Sequence, residues 1–323
     1  MRTMSELQQF FSLTPDRVLA AVEEGGSATT GMCYALNSLE NRVYEVELED
    51  RSRVVVKFYR PGRWSRETIL DEHRALAALA DNEITVVAPT PFADGETLHT
   101  LDEGIHFTLF PRRGGRAPDD LTLDDFEQMG RLIARIHNVT SSLGLKARPE
   151  LSPETYGTRA LATILEKATL SPGVRGRYSD AVTRLVQVAT PRFAEARRLP
   201  IHADFHRGNV LRTPQGWLVL DFDDMAHGPA VQDFWLILPG RARDVPQELD
   251  ALVKGYEQFR ELDRTELSLI EVLRALRYVR YAAWIAQRWD DPAFKRAFPD
   301  WGTDRYWEAQ LADINEQLAL VDA

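Results

Sequence analysis

The sequence predicts an α+β chain of two lobes, the first built on an antiparallel sheet and the second mostly helical. Three observations carry this prediction. The chain has 323 residues, too many for one simple core and about right for two lobes of ~100–200 residues each. Alternating and β-branched segments gather in residues 1–110, and helical periodicity dominates the rest. Between them lies "PRRGGRAP", residues 111–118, whose prolines and glycines suit neither helix nor strand. The lobes are therefore expected at 1–110 and 111–323.

In chain order, "TPDRVLAAVEEGG" (14–26) reads as a capped helix. Thr14 is the N-cap, Pro15 takes the first helical position, and Gly25 or Gly26 ends it. "RVYEVELED" (42–50) alternates and "RVVVKFY" (53–59) is compact and β-branched, which predicts a hairpin turning near residues 49–52. "SRETILDEHRALAALA" (65–80) spaces Ile69, Leu70, His73, Leu76, Ala77 and Leu79 as a helix does. "HFTLF" (106–110) is another short strand. Downstream, "TLDDFEQMGRLIARIHNV" (122–139) is a helix capped at Thr122, and helix follows helix from Pro246 onward. The exception is "NVLRTPQGWLVLDFDD" (209–224), which reads as strand, turn, strand.

Bulk composition narrows the function. A net charge of −10 gives no general affinity for nucleic acid or anionic membrane. An apolar fraction of 44% is ordinary for a soluble globular protein, and no stretch approaches the ~18–20 uncharged residues of a membrane span. The N-terminus "MRTMSELQQFFSL" lacks the basic and apolar regions of a signal peptide. Cys33 stands alone, so no intrachain disulfide forms, which fits a cytoplasmic address. A monomeric chain with neither nucleic-acid nor membrane partners is expected.

The densest polar chemistry is "HADFHRGNVL", residues 202–211. If the hairpin that follows pairs about Gln215, Thr213 faces Trp217, Leu211 faces Val219 and Asn209 faces Asp221. Opposed residues lie ~4.5–5.5 Å apart at Cβ, so an amide oxygen and a carboxylate would open side by side. Asp204 sits in the loop entering the hairpin. An amide and a carboxylate form a hard-oxygen pair suited to Mg²⁺, which takes one or two protein ligands and leaves the rest to water and phosphate. The remaining aspartate is free to receive a proton from an attacking hydroxyl, the arrangement of phosphoryl transfer.

"HADFHRGNVL" followed by "LVLDFDD" resembles the catalytic and metal-binding segments of the aminoglycoside phosphotransferase/choline kinase superfamily. That superfamily has the bilobal protein kinase-like fold, with ATP and Mg²⁺ as cofactors and the active site between the lobes. The resemblance implies Asp204 as catalytic base and Asn209 and Asp221 as metal ligands, with Asp221 part of the catalytic set. Asp223 stands where protein kinases carry a glycine and is an extra metal-side or substrate-side carboxylate. Over nearly the whole chain, "LNSLENRVYEV", "VVVKFYRPGRW", "ILDEH", "HADFHRGNVL", "DDMAHGPAVQDFW" and "WDDPAF" resemble, in order, the bacterial stress response kinase A family. That family comprises cytoplasmic serine/threonine protein kinases, which implies protein substrates, with autophosphorylation among them.

Further roles follow from the resemblance alone. Lys57 is implied to touch the ATP phosphates and Glu72 to pair with it. "LNSLEN" (36–41) takes the place of the phosphate-covering loop without its glycines, so Ser38 and Asn41 act there, Ser38 nearest the phosphates. "TLFP" (108–111), with Leu109, is implied as the hinge strand that binds adenine, and Asp233 as a structural brace for the catalytic loop.

Other readings compete. His202 and His206 could hold zinc in a metallohydrolase, but the other five histidines form no cluster with them; His202 is read as supporting its own backbone. A catalytically dead nucleotide-binding scaffold is disfavoured by the joint presence of Lys57, Glu72, Asp204, Asn209 and Asp221. A small-alcohol kinase of the choline, homoserine or aminoglycoside type would use the stripe Tyr278, Tyr281, Ile285, Arg288 and Trp289 as an aromatic cage. That stripe is read instead as core, with Tyr278 and Trp289 buried and an open acidic cleft in front of Asp204.

Overall fold

A computed structural model describes residues 6–11 and 13–322. The leaderless N-terminus expected from the sequence falls partly on residues 1–5 and 12, outside the described residues. The first elements are α1 (Glu6–Phe11), α2 (Pro15–Glu24), β1 (Thr29–Leu36), β2 (Arg42–Leu48), β3 (Arg53–Phe58), α3 (Arg66–Asp81), β4 (His99–Thr100) and β5 (His106–Pro111). Next come α4 (Leu123–Ser141), α5 (Arg159–Lys167), α6 (Pro172–Glu195), β6 (Leu199–Ile201), β7 (Val210–Thr213), β8 (Gly216–Val219) and β9 (Ala226–Gly228). Helices α7 (Gln232–Trp235), α8 (Pro246–Glu257), α9 (Ile270–Gln287), α10 (Pro292–Ala297) and α11 (Asp304–Asp322) follow. No helix among the described residues is long and apolar enough to cross a membrane.

The chain forms two compact units. The first comprises Met1–Pro118, Ser142–Arg148 and Gly208–Asp223; the second comprises Asp119–Ser141, Pro149–Arg207 and Asp224–Ala323. A cut after residue 110 follows chain order, whereas by contact the β7–β8 hairpin joins the first unit. The reason is backbone pairing. The Val219 N–H donates to the Thr85 carbonyl at 3.0 Å, and Arg116 and Arg212 exchange two backbone hydrogen bonds at 2.9 and 2.8 Å.

In the first unit, β1-β2-β3-β5-β4 form one antiparallel sheet. Val46, Val56, Phe58, Phe107 and Leu109 of the sheet pack with Phe10 of α1 and Val18 and Val22 of α2. The caps are local. Thr14 Oγ1 accepts from the Arg17 N–H at 3.3 Å, and Ser65 Oγ from the Thr68 N–H at 3.2 Å, each satisfying a donor that the helix itself leaves open.

The β7–β8 register differs by one residue from the expected pairing. Val210 faces Val219, Leu211 faces Leu218, Arg212 faces Trp217 and Thr213 faces Gly216. The loop is two residues, Pro214 and Gln215, rather than three. Thr213 closes it: its hydroxyl accepts from the Gln215 N–H at 3.2 Å and donates to the Gly216 carbonyl at 2.9 Å. Gly216 enters the strand at φ 113°, which a residue with a Cβ rarely adopts.

The second unit is helical apart from a two-stranded antiparallel sheet of β6 and β9. Its closest helix contact joins α4 to α8 through two glycines. A Cβ at Gly130 would run into the Leu252 carbonyl, and one at Gly255 into the Glu127 carbonyl. Backbone cannot swing aside as a side chain can, so both positions demand glycine. Gly255→Ala should therefore destabilise the chain by about 1–3 kcal/mol, at the overpacking scale or above it. Urea unfolding should show a lower midpoint with an unchanged slope; a wild-type midpoint would refute this account of the contact.

Candidate active site

Within the first unit a cavity of about 380 Å³ opens beside the sheet. Val43 and Val55, on β2 and β3, and Leu76, Val87 and Val219 give it an apolar lining. Its polar lining includes Ser38, Asn41, Lys57, Glu72, Asn209 and Asp221, six residues singled out from the sequence, together with Asn37 and Arg113. The seventh, Leu109, does not line it: its side chain lies in the sheet core and its carbonyl accepts from the Thr90 N–H at 2.7 Å. Its neighbour Phe110 lines the cavity instead, because successive strand residues point to opposite faces, and Pro111 borders the cavity at the end of the strand.

The loop between β1 and β2 holds its shape without glycine. Ser38 Oγ accepts from the Asn41 N–H at 3.2 Å. Arg60 does the rest, donating its side chain to the carbonyls of Glu40 at 2.9 Å and Leu39 at 3.1 Å and its N–H to Asn41 Oδ1 at 3.3 Å. Sequence reasoning passed over Arg60; its place just past the β3 motif, in "VVVKFYRPGRW", is the one signal.

Lys57 Nζ, buried, sits among three carboxylates: 3.2 Å from Asp223, 3.6 Å from Glu72 and 3.9 Å from Asp221. Burial opposes the lysine charge, but Asp223 and Glu72 overcome it and hold the amine protonated. Glu72 is itself pushed up by burial, against the pull of Lys57, and its Oε2 is buried without a hydrogen-bond partner. Asp223 is 2% exposed. Arg63 reaches it at 2.6 Å, Asn41 Nδ2 donates to it at 3.3 Å, and Arg148 donates to its backbone carbonyl. Burial would raise the Asp223 carboxyl; Arg63, Lys57 and Arg148 instead hold it well below the usual range. Its oxygens face protein cations, Oδ2 towards Arg63 and Oδ1 towards Lys57.

Asn209 and Asp221 line the same cavity despite the shifted register. Asn209 ends a 3-10 turn, Arg207–Asn209, and its carbonyl accepts from the Leu220 N–H at 2.8 Å. Asp221 follows with φ 57°, a left-handed conformation, and its side chain is mostly exposed where that of Asp223 is sunk. The convergence thus comes from the turn before the hairpin and the twist after it.

In the second unit, the loop 202–206 leaves β6 with Ala203 at φ 67°. Asp233 holds it, accepting from the Ala203 N–H at 2.7 Å and the His202 N–H at 2.8 Å. Gln232 Nε2 donates to the Ala203 carbonyl at 2.8 Å, so both backbone groups of the strained residue are tied. Behind Asp233 stand His137 at 3.0 Å and, beyond it, the Tyr256 hydroxyl at 3.0 Å. Gln232, His137 and Tyr256 lie far from the motif in sequence and carry no local signal. His202 Nδ1 accepts from the Asp204 N–H at 3.3 Å, which spends it on the loop backbone rather than on a metal.

Asp204 is ion-paired to Arg277 of α9 at 2.7 Å, with His206 Nε2 at 3.4 Å from its other oxygen. Burial would raise the carboxyl, but His206 and Arg277 carry it well below its usual range. The stripe on α9 and beyond does not behave as one core. Ile285 and Arg288 are buried. Tyr281 is 42% exposed, stacked on Trp284 at 5.4 Å between centroids. Tyr278 and Trp289 are half-buried, the latter against Trp301 at 4.4 Å. Nor does α9 bring acidic groups to Asp204; it brings an arginine.

Residues 35–269 match the phosphotransferase enzyme family. The chain is 38% identical to stress response kinase A of Escherichia coli strain K12 over 314 residues, 97% of this chain and 94% of that one. It is 36% identical to the serine/threonine protein kinase RdoA of Salmonella typhimurium over 313 residues, with the same shares. Among solved structures it is similar in fold to the amicoumacin kinase hAmiN in complex with AMP-PNP, Ca²⁺ and Ami. There the TM-score is 0.73 at 20% identity, covering 95% of this chain and 93% of that one. The chain belongs to the phosphotransferase enzyme family, has its bilobal protein kinase-like fold, and is an ATP-dependent kinase.

Proposed function

We propose that the chain transfers the γ-phosphate of ATP, with Mg²⁺, to serine and threonine hydroxyls of proteins, in a cytoplasmic stress response. The observation that carries this is the shared lining of one apolar cavity by Lys57, Asn209 and Asp221. The cavity fits the group. Its apolar walls suit a purine, a protonated buried amine suits phosphate, and an amide with an exposed carboxylate suits a hard cation. No imidazole or thiol stands among the described lining residues. The names of the Escherichia coli and Salmonella relatives support the protein acceptor and the stress setting.

Each residue has a task. Ser38 and Asn41 shape the loop that covers the phosphates, and Phe110 and Pro111, rather than the Leu109 side chain, border the adenine end. Lys57, pinned between Asp223 and Glu72, presents a fixed positive charge to phosphate oxygens. Asn209 and Asp221 would hold the cation, whose bound charge offsets that developing on the phosphates. Asp204 orients the acceptor hydroxyl and takes its proton. A second reading, a small-alcohol kinase, is favoured by the exposed Tyr281 stacked on Trp284, a platform that a small ring could cover. Labelled ATP–Mg²⁺ offered with generic proteins and, separately, with a panel of small alcohols separates the two. Rapid turnover of one alcohol with no phosphoprotein moves the chain to the second.

Asp204→Ala should cut phosphoryl transfer by roughly 10²–10⁴-fold while calorimetric ATP binding persists; near-normal turnover would remove Asp204 from the base role. Asn209→Ala and Asp221→Ala should raise the Mg²⁺ needed for half-maximal activity, Asp221→Ala more because it deletes a charge as well as an oxygen. After chelation, Mg²⁺ should restore the wild-type enzyme; restoration by zinc alone would refute the hard-oxygen pair. Asp223→Asn should behave differently, lowering stability by roughly 3–5 kcal/mol because it leaves buried cations without their counter-charge. Unchanged denaturant stability with a raised Mg²⁺ requirement would instead make Asp223 a ligand.

A further inference from the structure

The arginines of α9 divide into those already satisfied and those that are not. Arg274 pairs with Glu271 at 3.1 Å and donates to the Gly240 carbonyl at 3.0 Å. Arg288 is buried, donating to the Trp284 carbonyl at 3.2 Å. Arg277 has Asp204 as its carboxylate, at 2.7 Å. Arg280, one turn further along the same face, has none: among the described residues no carboxylate pairs with it. Its guanidinium lies 5.7 Å from the ring centroid of Tyr156, on a π-helical turn, Glu154–Thr158. Arg277, which reaches Asp204, and Arg280, over Tyr156, stand three residues apart on α9, so their side chains leave the helix on neighbouring positions. A half-buried guanidinium held over an aromatic ring, without a paired carboxylate and three residues from the arginine that holds the proposed base, is poised for an anion.

We propose that the acceptor carries an anionic group close to its reacting hydroxyl, recognised by Arg280 together with Arg277. This rests on the reading of Asp204 as the group that receives the hydroxyl, and with the protein-kinase reading it means an acidic residue beside the target serine or threonine. A cationic group in the same place is disfavoured because Arg280 would repel it, the charge of Arg277 being offset by Asp204. The net charge of −10 works against an acidic partner over the rest of the surface, so the selectivity is local.

The test compares peptides that carry one serine flanked by acidic, neutral or basic residues, with hydroxy acids and amino alcohols as small acceptors. Wild-type kcat/KM should favour acidic flanks, and Arg280→Gln should lower it for acidic peptides by roughly ten- to a hundredfold while sparing neutral ones. Arg280→Glu should transfer the preference to basic flanks, a gain that misfolding cannot produce. Equal turnover of all peptides, an equal loss for all of them in Arg280→Gln, or a preference for amino alcohols overturns the proposal. Phosphorylation of hydroxy acids alone, lost in Arg280→Gln, keeps the anion site and sinks the protein-kinase reading.

Discussion

A carboxylate buried among cations governs the first unit. An isolated ionised aspartate at the depth of Asp223 would be strongly disfavoured. Arg63, Lys57 and Arg148 make it tolerable, and each comes from a different stretch of chain: the turn between β3 and α3, strand β3, and the segment 142–148. The charge is affordable only when those stretches are assembled, so a desolvation penalty becomes a constraint on geometry. Two things useful for chemistry follow. Lys57 is fixed in place and kept protonated, and Asp221, two residues upstream, is left at the rim with its carboxylate turned to solvent.

The second unit solves a related problem with hydrogen bonds. Ala203 holds a left-handed φ that costs a residue with a Cβ about 1–3 kcal/mol. Asp233 and Gln232 tie both of its backbone groups, and Asp233 is itself braced by His137. Asp221, the other positive φ near the site, is an aspartate, whose short polar side chain tolerates that region better. Strain thus sits immediately before Asp204 and at Asp221, the two aspartates proposed as base and metal ligand.

What could be read from the sequence was mostly what is local. Thr14 and Thr122 cap helices three residues away, and Lys57, Asn209 and Asp221, picked out by their motifs, line one cavity. What is missing there is long-range or a matter of parity. Arg63 and Arg148 meet Asp223 across 160 and 75 residues, so nothing in the letters around Asp223 announces the cations that hold it. The hairpin register turned on one Thr213 hydroxyl, which favours a two-residue loop over a three-residue one. In "TLFP" Leu109 and Phe110 are both apolar, so the strand was visible but not which of them faces the cavity. On α9, helical spacing aligned Tyr281 with Ile285, although one is exposed and the other buried; a period marks a face without saying how far the core extends across it.

Asp204 ionises more readily than an ordinary aspartate, which bears on the kind of base it would be in the proposed reaction. A weakly basic carboxylate removes little proton density from a resting hydroxyl. In a loose phosphoryl-transfer transition state that is no handicap, because the hydroxyl becomes acidic only as its oxygen bonds to phosphorus. Orientation comes first and proton capture late. Arg277 and His206 hold the carboxylate in this state before any acceptor arrives. If Arg277 is half of an anion site, an acceptor that engages it draws positive charge from Asp204 and sets a negative charge nearby. Both changes raise the carboxyl's pKa. On that proposal the base would strengthen with acceptor bound and stay weak without it, which would disfavour the competing reaction in which water takes the phosphoryl group.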